Sequence, residues 1–159
     1  TGPTPDAKES AMRLSTKGRY AVMAMTDLAG RQDAEGSRAV SLAEIAARQE
    51  ISLSYLEQLF ARLRRRGLVK SLRGPGGGYR LARTASETHI AEIVLAVDEP
   101  LRATRCGHAT GKGCMKAGER CSTHDLWEEM GRQLHSYLES VSLADVLEGR
   151  LTPDSKVAA

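Results

Sequence analysis

Aromatic residues are scarce: four tyrosines, one tryptophan and one phenylalanine in 159 residues, or 4%. Sheets that bind single-stranded RNA or other oligonucleotides need several stacking rings on one face, so that class is excluded. Nowhere does the chain run through the roughly 18 uncharged apolar residues that a membrane span requires. No basic, then apolar, then small-residue leader opens the sequence, so the expectation is a cytoplasmic protein with no membrane partner. Cysteine is limited to three, an odd number that suits a disulfide framework poorly. What remains is ordinary globular material, 41% hydrophobic and 27% charged, enough to bury a core without staples. The length suits one domain, or a small domain with a long extension.

A net charge of +3 conceals an asymmetry. Residues 12–84 hold 14 lysines and arginines against 6 acids, whereas residues 85–159 hold 8 against 12. A basic first half and an acidic second half point to a polyanion-binding module followed by something else. Chance segregation of charge is the bland alternative.

The sequence divides into four parts. Residues 1–11, with two prolines and no periodicity, read as a disordered or non-native leader, and residues 152–159 as a disordered tail. Residues 12–84 read as a DNA-binding domain, and residues 85–151 as a linker helix, a cysteine-bearing loop and further amphipathic helices. Ser15 or Thr16 caps a first helix with Tyr20, Ala21, Ala24, Met25, Leu28 and Ala29 as its stripe, ending near Gln32 before a loop at residues 31–38. Ser41 and Glu44 form a capping box for a short helix ending near Gln49. After about three residues, Ser52 or Ser54 caps the next, whose stripe is Leu53, Leu56, Leu59, Phe60 and Leu63 and whose stop is Gly67. Ser54 with Glu57 offers a second capping box. Two helices joined so tightly make a helix-turn-helix.

Beyond Gly67 the period changes to that of strands at residues 68–72 and 79–81, flanking Gly74-Pro75-Gly76-Gly77-Gly78. The predicted fold class is therefore mostly α: a winged helix-turn-helix domain with a β-hairpin wing, then a loop and a long amphipathic helix. That helix is marked by Trp127, Met130, Leu134, Tyr137 or Leu138, and Val141. A helix at residues 90–97 precedes the loop, and Ser142 caps a last one.

In a helix-turn-helix the second helix presents its first turns to base edges in the major groove. Those residues are Ser52, Ser54, Tyr55, Glu57 and Gln58. Gln58 can pair with adenine in bidentate fashion, Ser54 can serve either base type, and Tyr55 can hold a phosphate. Glu57 either filters wrong sites or merely completes a capping box. Four arginines crowd the end of the same helix; helix-end electrostatics explain one or two, which leaves Arg64 as a phosphate contact. The wing has more glycines than a tight turn needs, so backbone at Gly74, Gly76 and Gly77 can approach phosphates, and Arg73 can enter a narrow minor groove. A phosphate-binding P-loop fails, because no Gly-Lys-Ser/Thr follows.

All three cysteines fall in one window as C-x7-C-x6-C-x2-H, comprising Cys106, Cys114, Cys121 and His124, with His108 as a spare candidate. Three thiolates and an imidazole suit zinc, and equally a [2Fe–2S] cluster in which histidine replaces one cysteine. The long gaps lean toward the larger group. A Cys121–His124 dyad of a thiol redox enzyme lacks an orienting third residue, and unliganded cysteines remain the plain alternative.

The stretches 12–21 (MRLSTKGRYA), 51–60 (ISLSYLEQLF), 73–79 (RGPGGGY) and 96–99 (AVDE) resemble those of the IscR-type iron–sulfur cluster regulators. These belong to a family of bacterial winged-helix transcription factors that also includes nitric-oxide-sensitive and iron-responsive repressors. The resemblance runs from Met12 to about Leu151. It implies a homodimer held by the Trp127 helix, binding double-stranded operator DNA under control of a [2Fe–2S] cluster, with iron–sulfur assembly proteins as donors. Carried over, the cluster ligands are Cys106, Cys114, Cys121 and His124. Ser54, Glu57 and Gln58 face the major groove and Arg73 the minor groove, while Lys17, Tyr20 and Tyr55 hold backbone. The first two cysteine gaps are longer than in that family; the final C-x2-H is kept.

Overall fold

A computed structural model of the chain describes residues 15–35, 38–97, 115 and 117–151. Helix α1 (Thr16–Glu35) begins where the Ser15 hydroxyl accepts from the Gly18 amide at 3.1 Å. It runs past the predicted end at Gln32, and the Gln32 side-chain oxygen accepts the Leu81 amide at 2.9 Å. Residues 31–35 of the expected loop are therefore helical.

Helix α2 (Leu42–Gln49) carries the predicted Ser41–Glu44 box, with both reciprocal hydrogen bonds formed. Its C-cap, Glu50, is left-handed at φ 55°, a conformation that crowds a side chain and costs about 1–2 kcal/mol. The tight turn tolerates this because it returns Ile51 to the core, its amide bonded to the Ala46 carbonyl at 3.2 Å.

Helix α3 (Leu53–Arg65) is capped by Ser52, whose hydroxyl accepts from the Tyr55 amide at 3.3 Å. The Ser54–Glu57 box is not formed, since the chain enters the helix two residues earlier to keep Ile51 buried. Leu53 consequently lies outside the stripe and is exposed, while Leu56, Leu59, Phe60 and Leu63 are fully packed. Gly67, at φ 73°, ends the element as predicted.

Strands β1 (Val69–Leu72) and β2 (Gly78–Leu81) pair antiparallel, with Val69 opposite Leu81 and Lys70 opposite Arg80. Val40 adds a bridge to Tyr79, with mutual amide–carbonyl bonds of 2.9 and 2.8 Å, so the segment before α2 is stitched to the root of the hairpin. Phe60 meets Tyr79 edge-on at 5.0 Å. A 3-10 turn (Ala85–Glu87), opened by a Thr84–Glu87 capping box, leads to α4 (Ile90–Val97).

Helix α5 (His124–Ser140) follows, then α6 (Leu143–Glu148), capped by Ser142 with Asp145. The junction of these two is clamped to the start of α4: the Ile90 amide donates to Val141 and the Leu143 amide to Thr88, both at 2.9 Å. One apolar core joins Met25 and Leu28 of α1, Ile45, Phe60 and Leu63, Ile93, Val94 and Val97 of α4, and Val141 with Leu143. No described helix is long and apolar enough to cross a membrane.

Candidate nucleic-acid interface and metal centre

Capping by Ser52 leaves Ser54, Glu57 and Gln58 exposed on the first two turns of α3. With no box to complete, the capping explanation for the Glu57 carboxylate falls away. Tyr55 is half-buried because its ring meets that of Tyr20 from α1 edge to face, 5.8 Å apart and nearly perpendicular. Lys17, exposed and one helical turn before Tyr20, lies on the same side of α1. The fold thus gathers Lys17 and Tyr20 of α1 beside Tyr55 at the opening of α3, about 35 positions further along the chain.

The arginines behind α3 divide by their partners. The Arg62 guanidinium caps α4, donating to the Val97 carbonyl at 2.7 Å. Arg64 reaches the hairpin, donating to the Ser71 hydroxyl at 3.2 Å, and stays exposed. Arg73, at the hairpin tip, is exposed with Gly74 and Gly76.

Glycine excess in the wing has local causes that the sequence does not display. Gly74, Gly76 and Gly78 all have positive φ, and a Cβ on Gly78 would sit 2.3 Å from the Val40 carbonyl oxygen. A Cβ on Gly77 would sit 2.4 Å from the Leu72 carbonyl oxygen. Tight folding of the loop therefore demands every one of these glycines, and their number is not in itself a sign of phosphate binding.

A long-range link also escaped the sequence patterns. Asp27 of α1 receives a forked bond from Arg48 (2.6 Å at the shortest) and another from Gln49 at 2.7 Å. Burial pushes the Asp27 carboxyl up, but the bonds from Arg48 and Gln49 outweigh it and hold the pKa below its ordinary value. This tie pins α2, and so the approach to α3, against α1.

At the other end of the molecule, Cys121 is half-buried and His124 is 6% exposed, the one buried side chain of α5. The His124 amide donates to the Cys121 carbonyl at 3.1 Å, which places the thiol and the imidazole at one helix start. Thr123 binds this turn together: its hydroxyl accepts from Trp127 Nε1 at 3.0 Å and lies 3.8 Å from Cys121 Sγ. Glu128 Oε2 stands 3.7 Å from His124 Nε2. The thiol and imidazole suit a soft transition-metal centre by their chemistry, and the neighbouring carboxylate can orient a ligating imidazole. Cys106, Cys114 and His108 lie outside the described residues.

Comparison with known proteins bears on the winged helix directly. The model of Rrf2, described as an iron-dependent transcriptional regulator, matches residues 14–149. The chain belongs to the Rrf2 family. Among Rrf2-like relatives, the HTH-type transcriptional regulator IscR of Xenorhabdus nematophila is 52% identical over 139 residues, spanning 87% of this chain and 81% of that protein. IscR of T. potens superposes with a TM-score of 0.69 at 38% identity, over 87% of this chain and 88% of the other. CymR, the global cysteine regulator of B. subtilis, gives 0.69 at 31% identity, over 84% and 95%. This Rrf2 protein is a winged-helix transcriptional regulator of the IscR type that works through DNA, and it is not an enzyme.

Proposed function

We propose that the chain acts as a homodimer at specific duplex operators, and that a [2Fe–2S] cluster held by Cys106, Cys114, Cys121 and His124 sets its affinity or choice of site. One observation carries this reading: a half-buried thiol and a buried imidazole open the helix whose apolar face the chain leaves uncovered. Leu126, Leu134 and Tyr137 of α5 are 59%, 40% and 48% exposed, an arrangement suited to a partner copy packing along a 17-residue stripe. When bound, the cluster supplies an iron–sulfur centre whose presence depends on iron, oxidant and the assembly proteins that donate it.

The remaining roles fall to the chain itself. Residues 12–84 bind DNA: Ser52, Ser54, Glu57 and Gln58 read the major groove, Lys17, Tyr20, Tyr55 and Arg64 hold phosphates, and Arg73 enters the minor groove beside Gly74, Gly76 and Gly77. Residues 85–151 supply the ligands and the dimer. Ligation at Cys121 and His124 would fix the start of α5 and alter how the paired recognition helices are spaced, a coupling of about 1–3 kcal/mol.

The test is an anaerobic visible spectrum with iron and sulfide analysis, followed by duplex titrations of loaded and cluster-free protein. Iron and sulfide in equal amounts, with affinities that differ between the two forms, are expected. Colourless zinc protein with unchanged DNA affinity would overturn the sensing role and leave a zinc-stabilised DNA-binding protein.

A further inference from the structure

Lys70 and Arg80 occupy directly opposed positions on the two strands of the wing. Like charges so placed repel and weaken a hairpin. Strand alternation sets both on the face opposite to Val69 and Leu81, away from the core. Neither side chain makes a hydrogen bond or an ion pair among the described residues. Both line an open cleft of about 500 Å³ between the hairpin, the end of α1 and the 3-10 turn.

Of the other charged groups lining the cleft, Arg83 is ion-paired and Glu87 keeps its negative charge, bonded only to neutral donors. Arg83 is paired with Glu92 at 2.8 Å, and Glu87 accepts from the Thr84 amide and hydroxyl at 3.3 and 2.9 Å. Two opposed cations against the single carboxylate of Glu87 leave the described lining of the cleft with a net positive charge, which suits an anion.

We propose that Lys70 and Arg80 form a second phosphate-binding site on the flank of the wing, which grips the DNA backbone beside the groove entered by Arg73. The site rests on the DNA-binding reading above and extends it to residues outside the recognition helix and the wing tip. Lys70 lies three residues from Arg73, about 10 Å along an extended strand, far enough to meet a different phosphate from those at the wing tip. The contact is blind to sequence and anchors the wing laterally, while α3 reads the bases.

The experiment compares wild-type protein with the double variant Lys70→Gln/Arg80→Gln. Both are titrated over a range of salt with a duplex selected from a random pool and with its scrambled counterpart. The slope of log affinity against log salt is expected to fall by about one unit per wing. At roughly 0.1 M salt, affinity should drop fivefold to tenfold on both duplexes alike, with their ratio unchanged. The unfolding midpoint of the free protein should hold or rise, since a repulsive pair has gone.

A second variant, Arg80→Glu, separates binding from folding: it sets opposite charges across the strands, so its midpoint should rise while its salt slope falls. An unchanged slope in the double variant overturns the proposal. So does an unchanged slope with loss of pyrophosphate binding, which assigns the cleft to a free anion instead. Wild-type protein that binds neither duplex would sink the DNA-binding reading itself, a distinct outcome.

Discussion

Helices α3 and α5 are both amphipathic, and they end in opposite states. On α3, Leu56, Leu59, Phe60 and Leu63 are all but sealed from water in the core shared with α1, α4 and the hairpin. On α5 only His124 is buried, while Leu126, Leu134 and Tyr137 stay largely open. The same periodicity in sequence thus marks an element packed into the core in one case and an element with its apolar side chains largely exposed in the other. Amphipathicity predicts that a face will be covered; it does not say by what.

The contrast can be broken most severely at Phe60. Phe60→Ala empties the centre of the core and should cost about 3–5 kcal/mol, read as a lower urea or thermal midpoint at any protein concentration. An intermediate effect is expected at the tie between α1 and α2. Because Asp27 has a depressed pKa when folded, its contribution is complete above the ordinary carboxylate pKa and disappears as pH falls through the folded value. Asp27→Asn should cost about 1–3 kcal/mol near neutrality and flatten the acid limb of the stability–pH curve, measured by unfolding at stepped pH. The smallest effect on the fold itself should come from Leu134→Glu. It should move the stability of dilute monomer by no more than about 0.5 kcal/mol, yet shift sedimentation from dimer to monomer. A midpoint loss as large as that of Phe60→Ala would place Leu134 in the chain's own core and erase the contrast.

Local signals in the sequence reached the helices, the Ser41–Glu44 box, the Gly67 stop and the hairpin, because caps and strand alternation are decided within a few residues. Where the prediction slipped, a distant contact had won. Residues 31–35 stay helical alongside Gln32, which is bonded to Leu81 across 49 positions. Of the two offered caps for α3, Ser52 is the one used and the Ser54–Glu57 box is not formed, because Ile51 is drawn into the core. The wing glycines looked surplus to a tight turn, but positive φ at Gly74, Gly76 and Gly78 and the close carbonyls at Gly77 and Gly78 account for them locally. Of the interface, the face of α3 was readable from one motif. The Tyr20–Tyr55 contact, the Asp27–Arg48–Gln49 tie and the employment of Arg62 at α4 were not, since no spacing rule links residues that meet only after folding. At the start of α5, Cys121 and His124 were visible as a C-x2-H pair, but the part of Thr123 was hidden in a side-chain bond to Trp127.

The clamp at the far end of α5 has a mechanical consequence. Seventeen residues of helix extend about 25 Å, anchored at residues 141–143 by the amides of Ile90 and Leu143. Such a rod behaves as a lever with its fulcrum beside α4: a sideways step of about 2 Å at its free tip is a swing of only ~5° at the pivot. A displacement at Cys121 therefore reaches the body of the protein as a small change of angle and not as a shift of position.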